Sequence, residues 1–288
     1  PVLAIGAGSS IQNEQEFNVP IVKILNIGIY ALLYADAVQQ MYSATVIREK
    51  KKGHAREVFD FYIERGVEAT YRNNHKQLLK LLEQAVADFN QIPIHDYKFS
   101  RVGLVGEIYV KYNNYGQAHI TEWLRSRSME VVTPPIQDFL MQYFVNSRVN
   151  EANGLDKSTL AGKLVRAGFW KYMNTRIRKT DAIYKDFRFY HPNESIYLKA
   201  EYAAEVLNPV NQFGEGWMIA AEVACFSRQG INKVVCLQPF GCIANHVIAK
   251  GIEKRLRKLY PETSLLYLDI DGGMAEVNLQ NRLHFMIQ

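Results

Sequence analysis

Apolar positions recur at helical spacing through the first third of the chain. Val19 to Arg48 is apolar and rich in alanine and leucine, with no proline after Pro20, and reads as a helix. Ala55 to Asn90 carries Leu78, Leu79, Leu81, Leu82, Val86 and Phe89 at helical spacings and reads as another. Between them lies a basic run, Arg48, Lys50, Lys51 and Lys52 followed by Gly53, either a solvated helix end or a phosphate contact.

Gln91-Ile-Pro-Ile-His95 breaks this pattern. Arg101-Val-Gly-Leu-Val-Gly-Glu107 is a short apolar run ending in glycine, as a buried strand would be. Gly116 to Arg127 can form a helix, and Met129 to Thr133 a second strand, stopped by Pro134 and Pro135. Residues 150–207 return to a helical, charge-rich texture, most basic at Arg176, Arg178, Lys179, Lys185 and Arg188, and read as an insertion. Beyond Phe213 the alternation resumes. Trp217 to Gln229 is expected to be a helix stopped by Gly230, and Lys233-Val-Val-Cys-Leu-Gln238 a strand. Ala244 to Leu259 is a helix, Ser264-Leu-Leu-Tyr-Leu-Asp269 a strand, and Ala275 to Ile287 a last helix.

Strands alternating with helices imply an α/β fold, a mainly parallel Rossmann-like sheet with helices on both faces. Residues 1–96 form a mainly helical segment, the tail of a preceding domain, and 97–288 the α/β domain with its insertion at about 150–207. The 288 residues are ample for a buried core, and 48% hydrophobic with 22% charged residues is an ordinary globular balance. A net charge of +5 without clustering gives no argument for nucleic acid. Ile21 to Tyr34, the most apolar stretch, is short and interrupted by Lys23 and Asn26, so no membrane partner is expected. No basic segment precedes the apolar start, so it does not read as a signal peptide. A start at Pro1 directly before an apolar run reads as a cut inside a longer protein. Cys225, Cys236 and Cys242 are an odd number without CxxC spacing, which argues against disulfides and a self-contained zinc site and suits a reducing cytoplasm.

Ligands of such sheets gather beyond the carboxyl ends of the strands. Turns marked by glycine or proline converge there: Gly106-Glu107, Thr133-Pro-Pro135, Gln238-Pro-Phe-Gly-Cys242 and Asp269-Ile-Asp-Gly-Gly273. A fifth, Gly214-Glu215-Gly216-Trp217, joins them. Cys242 stands after a strand and Gly241 and before a helix, where unpaired N–H groups and the helix dipole favour an anionic sulfur. The plainer reading is a small apolar residue in a tight turn. Cys236 in mid-strand and Cys225 in mid-helix read as core, and His246 as rim-lining or as a satisfied structural histidine. Glu107, Glu215, Asp269 and Asp271 are candidate acid–base groups, Asp271 alternatively an N-cap. Gly6-Ala-Gly8-Ser-Ser10 lacks the third glycine of a dinucleotide fingerprint, and no GxxxxGK[ST] loop occurs.

Several of these segments resemble one family. Phe213-Gly-Glu-Gly-Trp217, Val235-Cys-Leu-Gln-Pro-Phe-Gly-Cys242 with Asn245-His246, and Leu268-Asp-Ile-Asp-Gly-Gly273 through Ala275-Glu-Val-Asn278 carry the likeness, with Val102-Gly-Leu-Val-Gly-Glu-Ile-Tyr109 and Ala35-Asp36-Ala37. They are similar to acyl-CoA dehydratase activase-related proteins, of the 2-hydroxyglutaryl-CoA dehydratase and activator superfamily. The likeness is strongest over 97–135 and 210–288.

The resemblance implies a C-terminal, dehydratase-subunit-like region joined to N-terminal activase modules that would be its partners. It implies a [4Fe–4S] cluster held by three cysteines, electron delivery driven by ATP hydrolysis, and radical dehydration of a 2-hydroxyacyl-CoA. Cys242 would be one cluster ligand and Glu107 a catalytic group, either behind the ligands or facing substrate. The Gly214–Glu215–Gly216, Gly241, Asn245 and Gly272–Gly273 positions would shape the wall of the site or offer N–H groups to an anion. The other cysteines would lie upstream of Pro1, leaving this chain without a cluster by itself. ATP would belong to modules outside it, since Asp271-Gly-Gly-Met274 lacks the following threonine or serine. The alternative is a non-catalytic module that binds CoA or a phosphorylated ligand, or braces the activase modules, motivated by the basic segment Arg176 to Arg188.

Overall fold

The computed structural model describes residues 4–5, 11–12, 21–96, 98–273 and 275–288. A two-stranded antiparallel pair, β1 (Ala4–Ile5) and β2 (Ile11–Gln12), precedes α1 (Ile21–Thr45), α2 (His54–Tyr71) and α3 (His75–Gln91). The α/β region then runs β3 (Ser100–Gly106), α4 (Ile108–Tyr112), α5 (Ile120–Ser126), β4 (Met129–Val132), α6 (Gln137–Ala152), α7 (Leu160–Tyr184) and α8 (Ile196–Val206). It closes with α9 (Trp217–Arg228), β5 (Lys233–Pro239), a π-helical turn (Ala244–Ala249), α10 (Glu253–Leu259), β6 (Ser264–Ile270) and α11 (Glu276–Ile287).

Strands β3 to β6 form one parallel sheet in the order β4-β3-β5-β6, with helices on both faces, so the expected Rossmann-like α/β class holds. Alternation along each strand assigns the faces. Val105, Val234, Cys236, Leu265 and Tyr267 pack toward α6, α8 and α9, and Val102, Leu104, Val235, Leu237 and Leu268 toward α4, α5 and α11. A third cluster joins α1, α2 and α3 to the end of α7 through Tyr184 and Phe187. Helix α1 serves two clusters, with Ile29 and Leu33 on the sheet side and Tyr34, Val38 and Met41 on the helical side. That double burial explains its apolar character; no helix among the described residues is long and apolar enough to cross a membrane.

Three expectations need correction. Ala55 to Asn90 is two helices, because Asn73 adopts φ 53° and Asn74 caps α3 by accepting from the Gln77 N–H at 3.0 Å. Ala244 to Leu259 is also interrupted, its first part a π-helical turn and its second α10. The helical excursion between β4 and β5 begins with α6 at Gln137, ahead of residue 150, since Pro134-Pro135 already ends the strand. The short helix α4, directly after β3, has too few residues to show a period. The Gly6–Ser10 segment lies outside the described residues.

Helix α9 lies close against β3 where Gly103 has no side chain: a Cβ there would stand 2.3 Å from the Phe226 ring. Gly103→Ala should therefore cost about 1–3 kcal/mol through overpacking. In a Phe226→Leu background the cost should shrink, because the two positions share one space. Urea midpoints of the four chains check this, and an unchanged Gly103→Ala midpoint would contradict the packing.

Candidate functional sites at the sheet edge and in the cleft beside α1

Leaving β3, the chain turns to β4 on one side, whereas β5 lies on the other. The crevice between the carboxyl ends of β3 and β5 is thus the topological switch point. Gly106, at φ 123°, passes so close to Leu237 that a Cβ would lie 1.9 Å from its carbonyl oxygen. The Glu107 N–H then donates to that oxygen at 3.0 Å. Glu107 caps α4 by accepting from the Val110 N–H at 3.0 Å, so part of its carboxylate is committed to structure. Buried Glu215 accepts from the Ile108 N–H at 3.0 Å and fastens the Gly214–Trp217 turn to the same corner. Gly214 and Gly216 have φ 60° and 45°, and a Cβ at Gly214 would stand 2.9 Å from the Ala244 side chain. The turn therefore packs on the π-helical segment that follows Cys242.

Cys242 is half-buried, and Gly241 reaches it at φ 82°. The Asn245 amide donates to the Cys242 sulfur at 3.1 Å, and the other amide atom of this wholly buried residue has no partner among the described residues. His246 accepts the Gly241 N–H through Nε2 at 3.3 Å, with Nδ1 3.7 Å from the Asp269 carboxylate. Asp269 also accepts from Gln238 at 2.5 Å. Around this turn Phe213, Phe240, Ile243 and Val247 are exposed at 69%, 75%, 65% and 65%. The sequence-predicted positions Glu107, Gly214, Glu215, Gly216, Gly241, Cys242 and Asn245 thus gather at one edge.

Other predicted positions behave differently. Gly272 and Gly273 have no positive φ, and no atom would obstruct a side chain at Gly272, so no close approach requires glycine there. Asp271 does not cap α11, whose N-cap is Ala275. Cys236 is buried in β5, where burial pushes its thiol far up, and burial raises Cys225 to about 11. Neither thiol is presented as a thiolate. Among the described residues no group of three or more His, Cys, Asp or Glu could hold a metal ion. A [4Fe–4S] cluster is therefore not fitted by these residues alone: they bring one thiol to the edge where three are called for.

Two members of the basic segment are also reassigned, while Arg178, Lys179 and Lys185 are exposed. The Arg176 guanidinium stacks 3.3 Å from the Tyr172 ring centroid and donates to Asn26, while Arg188 donates to the Phe89 and Ile92 carbonyls. These side chains bind α7 and the chain after it to α1 and α3. Arg48 likewise pairs with buried Glu130 at 2.6 Å instead of standing in solvent.

A region that hydropathy did not single out lies between α1 and the β4–α6 connection. Two adjoining cavities of about 600 and 450 Å³ share Asp36, Gln40, Pro135, Tyr184 and His191 as wall residues. Asp36 crosses from α1 to accept the Ile136 and Gln137 N–H groups, each at 3.2 Å, and so caps α6 from another element. Burial among the cleft walls outweighs these bonds and raises its carboxyl to about 7. The only sequence signal was its place in Ala35-Asp36-Ala37; its partners lie 100 residues away.

This shift has a sign. A folded-state value above the unfolded ~3.9 means that the folded chain holds the proton more tightly. The stability gained from the protonated acid is complete below about pH 4 and is lost as pH rises through about 7. Asp36→Asn should flatten that fall. Melting temperatures of both chains between those limits test it, and parallel curves would show that Asp36 titrates normally.

No family model, curated protein or solved structure matches this chain.

Proposed function

We propose that this chain is the dehydratase-like portion of a 2-hydroxyacyl-CoA dehydratase-related or activase-related protein. Its role there is to offer Cys242 as one ligand to an iron–sulfur cluster whose other thiols come from elsewhere in that system. The reading draws on the motif resemblance, and one observation carries it. Cys242 is the thiol that reaches the switch-point edge, in a turn that Gly241 and Gly214 shape and with an amide N–H on its sulfur. An N–H donor on a sulfur is a usual means of tuning a cluster, and the apolar fringe of Phe213, Phe240, Ile243 and Val247 would exclude water once covered.

The cluster would supply the one-electron chemistry. This chain's part is to orient the sulfur through Asn245 and to hold the edge through Glu215 and Glu107. ATP and the activase modules belong to the same proposal, as does an acyl-CoA substrate. The alternative, a non-catalytic module binding CoA or a phosphorylated ligand, would draw on the exposed Arg178, Lys179 and Lys185, since Arg176 and Arg188 are bonded internally.

Anaerobic reconstitution of the full-length protein with iron and sulfide tests the assignment. The protein should turn brown, and Cys242→Ser should lower its iron content while leaving the melting curve nearly unchanged. Iron content and visible spectrum identical in the two chains would remove Cys242 from the site.

A further inference from the structure

The cleft holds an ionic imbalance that the chain itself does not resolve. Three buried carboxylates near it have cation partners: Glu130 with Arg48 at 2.6 Å, Glu222 with Lys111 at 2.8 Å, and Asp138 with Lys199. Asp36 pairs with no lysine, arginine or histidine among the described residues, although it opens on both cavities. The smaller cavity adds Asp181, which accepts from the Tyr190 hydroxyl at 2.8 Å, and Glu194, neither of them in an ion pair. Its lining cation is Arg178, which is exposed. Trp170, Tyr184 and Tyr197 supply aromatic wall. Independently, Thr180 lines the same cavity at 6% exposure, and its hydroxyl has no partner among the described residues. Buried polar atoms left this way call for a partner that the protein does not provide.

We propose that the smaller cavity is an amine site, which takes a small aliphatic diamine with one ammonium on Asp36 and the other on Asp181 or Glu194. The ligand supplies the counter-charge that Asp36 lacks, and its methylene chain lies along the aromatic wall. Asp36 keeps its two backbone N–H donors and uses its remaining lone pairs toward the cavity. A cavity of about 450 Å³ has ample room for such a molecule.

The ionised form of Asp36 is the binding form. The charged groups that line the smaller cavity with it are Asp138 from α6, Arg178 and Asp181 from α7, and His191 and Glu194 from the segment before α8. Those of the larger cavity are Glu122 together with Arg56, Lys111, Arg125 and Glu130, the last four bonded respectively to Asp60, Glu222, Ser43 and Arg48. Lys199 of α8 is held by Asp138, and burial keeps His191 below its usual range, so neither is a competing free cation at neutral pH. On the other side, burial holds the Tyr112 hydroxyl of α4 protonated. Asp36 gains its charge over the interval in which the diamine keeps both of its own.

Calorimetric titration of the chain with 1,4-diaminobutane at about pH 5.5 and about pH 8 tests the proposal. The ionised fraction of an acid titrating at about 7 rises about thirtyfold over that interval, and the diamine stays doubly charged, so affinity should tighten by about that factor. 1,4-Butanediol and succinate, of equal carbon length, should give no binding heat at the higher pH. Asp36→Asn should weaken the diamine about tenfold or more there. Absence of diamine heat at pH 8, an affinity independent of pH, or equal binding of the diol would overturn the proposal, and these need no variant to fold. The measurement involves neither iron nor Cys242, so it stands or falls apart from the edge site.

Discussion

Helix α9 is buried from Trp217 to Phe226, and the one carboxylate in that stretch, Glu222, is bonded to Lys111 at 2.8 Å. Taking two charges out of water costs several kcal/mol each, so such a pair is a weak source of net stability. Burial pushes the Glu222 carboxyl upward, and Lys111 is the largest influence holding it down. What the pair contributes is position. Lys111 sits on α4, directly after β3, so its bond to α9 locks the carboxyl end of β3 against the helix that the Gly214–Trp217 turn opens. Gly103 allows the close approach from the strand side, and Glu215 closes the corner by accepting the Ile108 N–H. The shape of this edge follows from these contacts together.

Two regions of different character result. At the switch point the walls are turns, with glycines in left-handed conformations and a thiol on an exposed, apolar edge. In the cleft the walls are helices, and the notable groups are carboxylates, aromatic rings and a hydroxyl without a partner. The first depends on local conformation: Gly241, Gly214 and Gly216 have φ values that side chains rarely adopt. The second depends on long-range meetings. Asp36 touches residues 136 and 137, Arg48 touches Glu130, and Arg125 donates to Ser43 at 2.9 Å. The same contacts attach the helical region to the sheet, so ligand or proton binding at Asp36 acts on that attachment as well.

Where the sequence misled, a side chain had a partner that spacing does not reveal. Arg176 and Arg188 looked like a basic surface, yet they cap carbonyls and stack on Tyr172 and Phe189, because a guanidinium carries enough donors and a flat face to serve as an internal strut. Asn73 and Asn74 were invisible inside a helical period, although together they stop one helix and start the next. Gly272 and Gly273 looked like a cradle, but the backbone there makes no demand for glycine.

By itself the sequence determined the four strands of the parallel sheet, most helices and the gathering of Glu107, Gly214 and Cys242 at one edge. Each of these follows from short-range rules: short apolar runs, a period of 3.6, and the positions at which a chain must turn. Tertiary structure alone decided that Glu107 is half spent as a cap and that Asp36 has no cation partner among the described residues. Those outcomes depend on which distant groups share a dielectric environment, and burial of a charge is a property of the packed whole, not of the residues beside it.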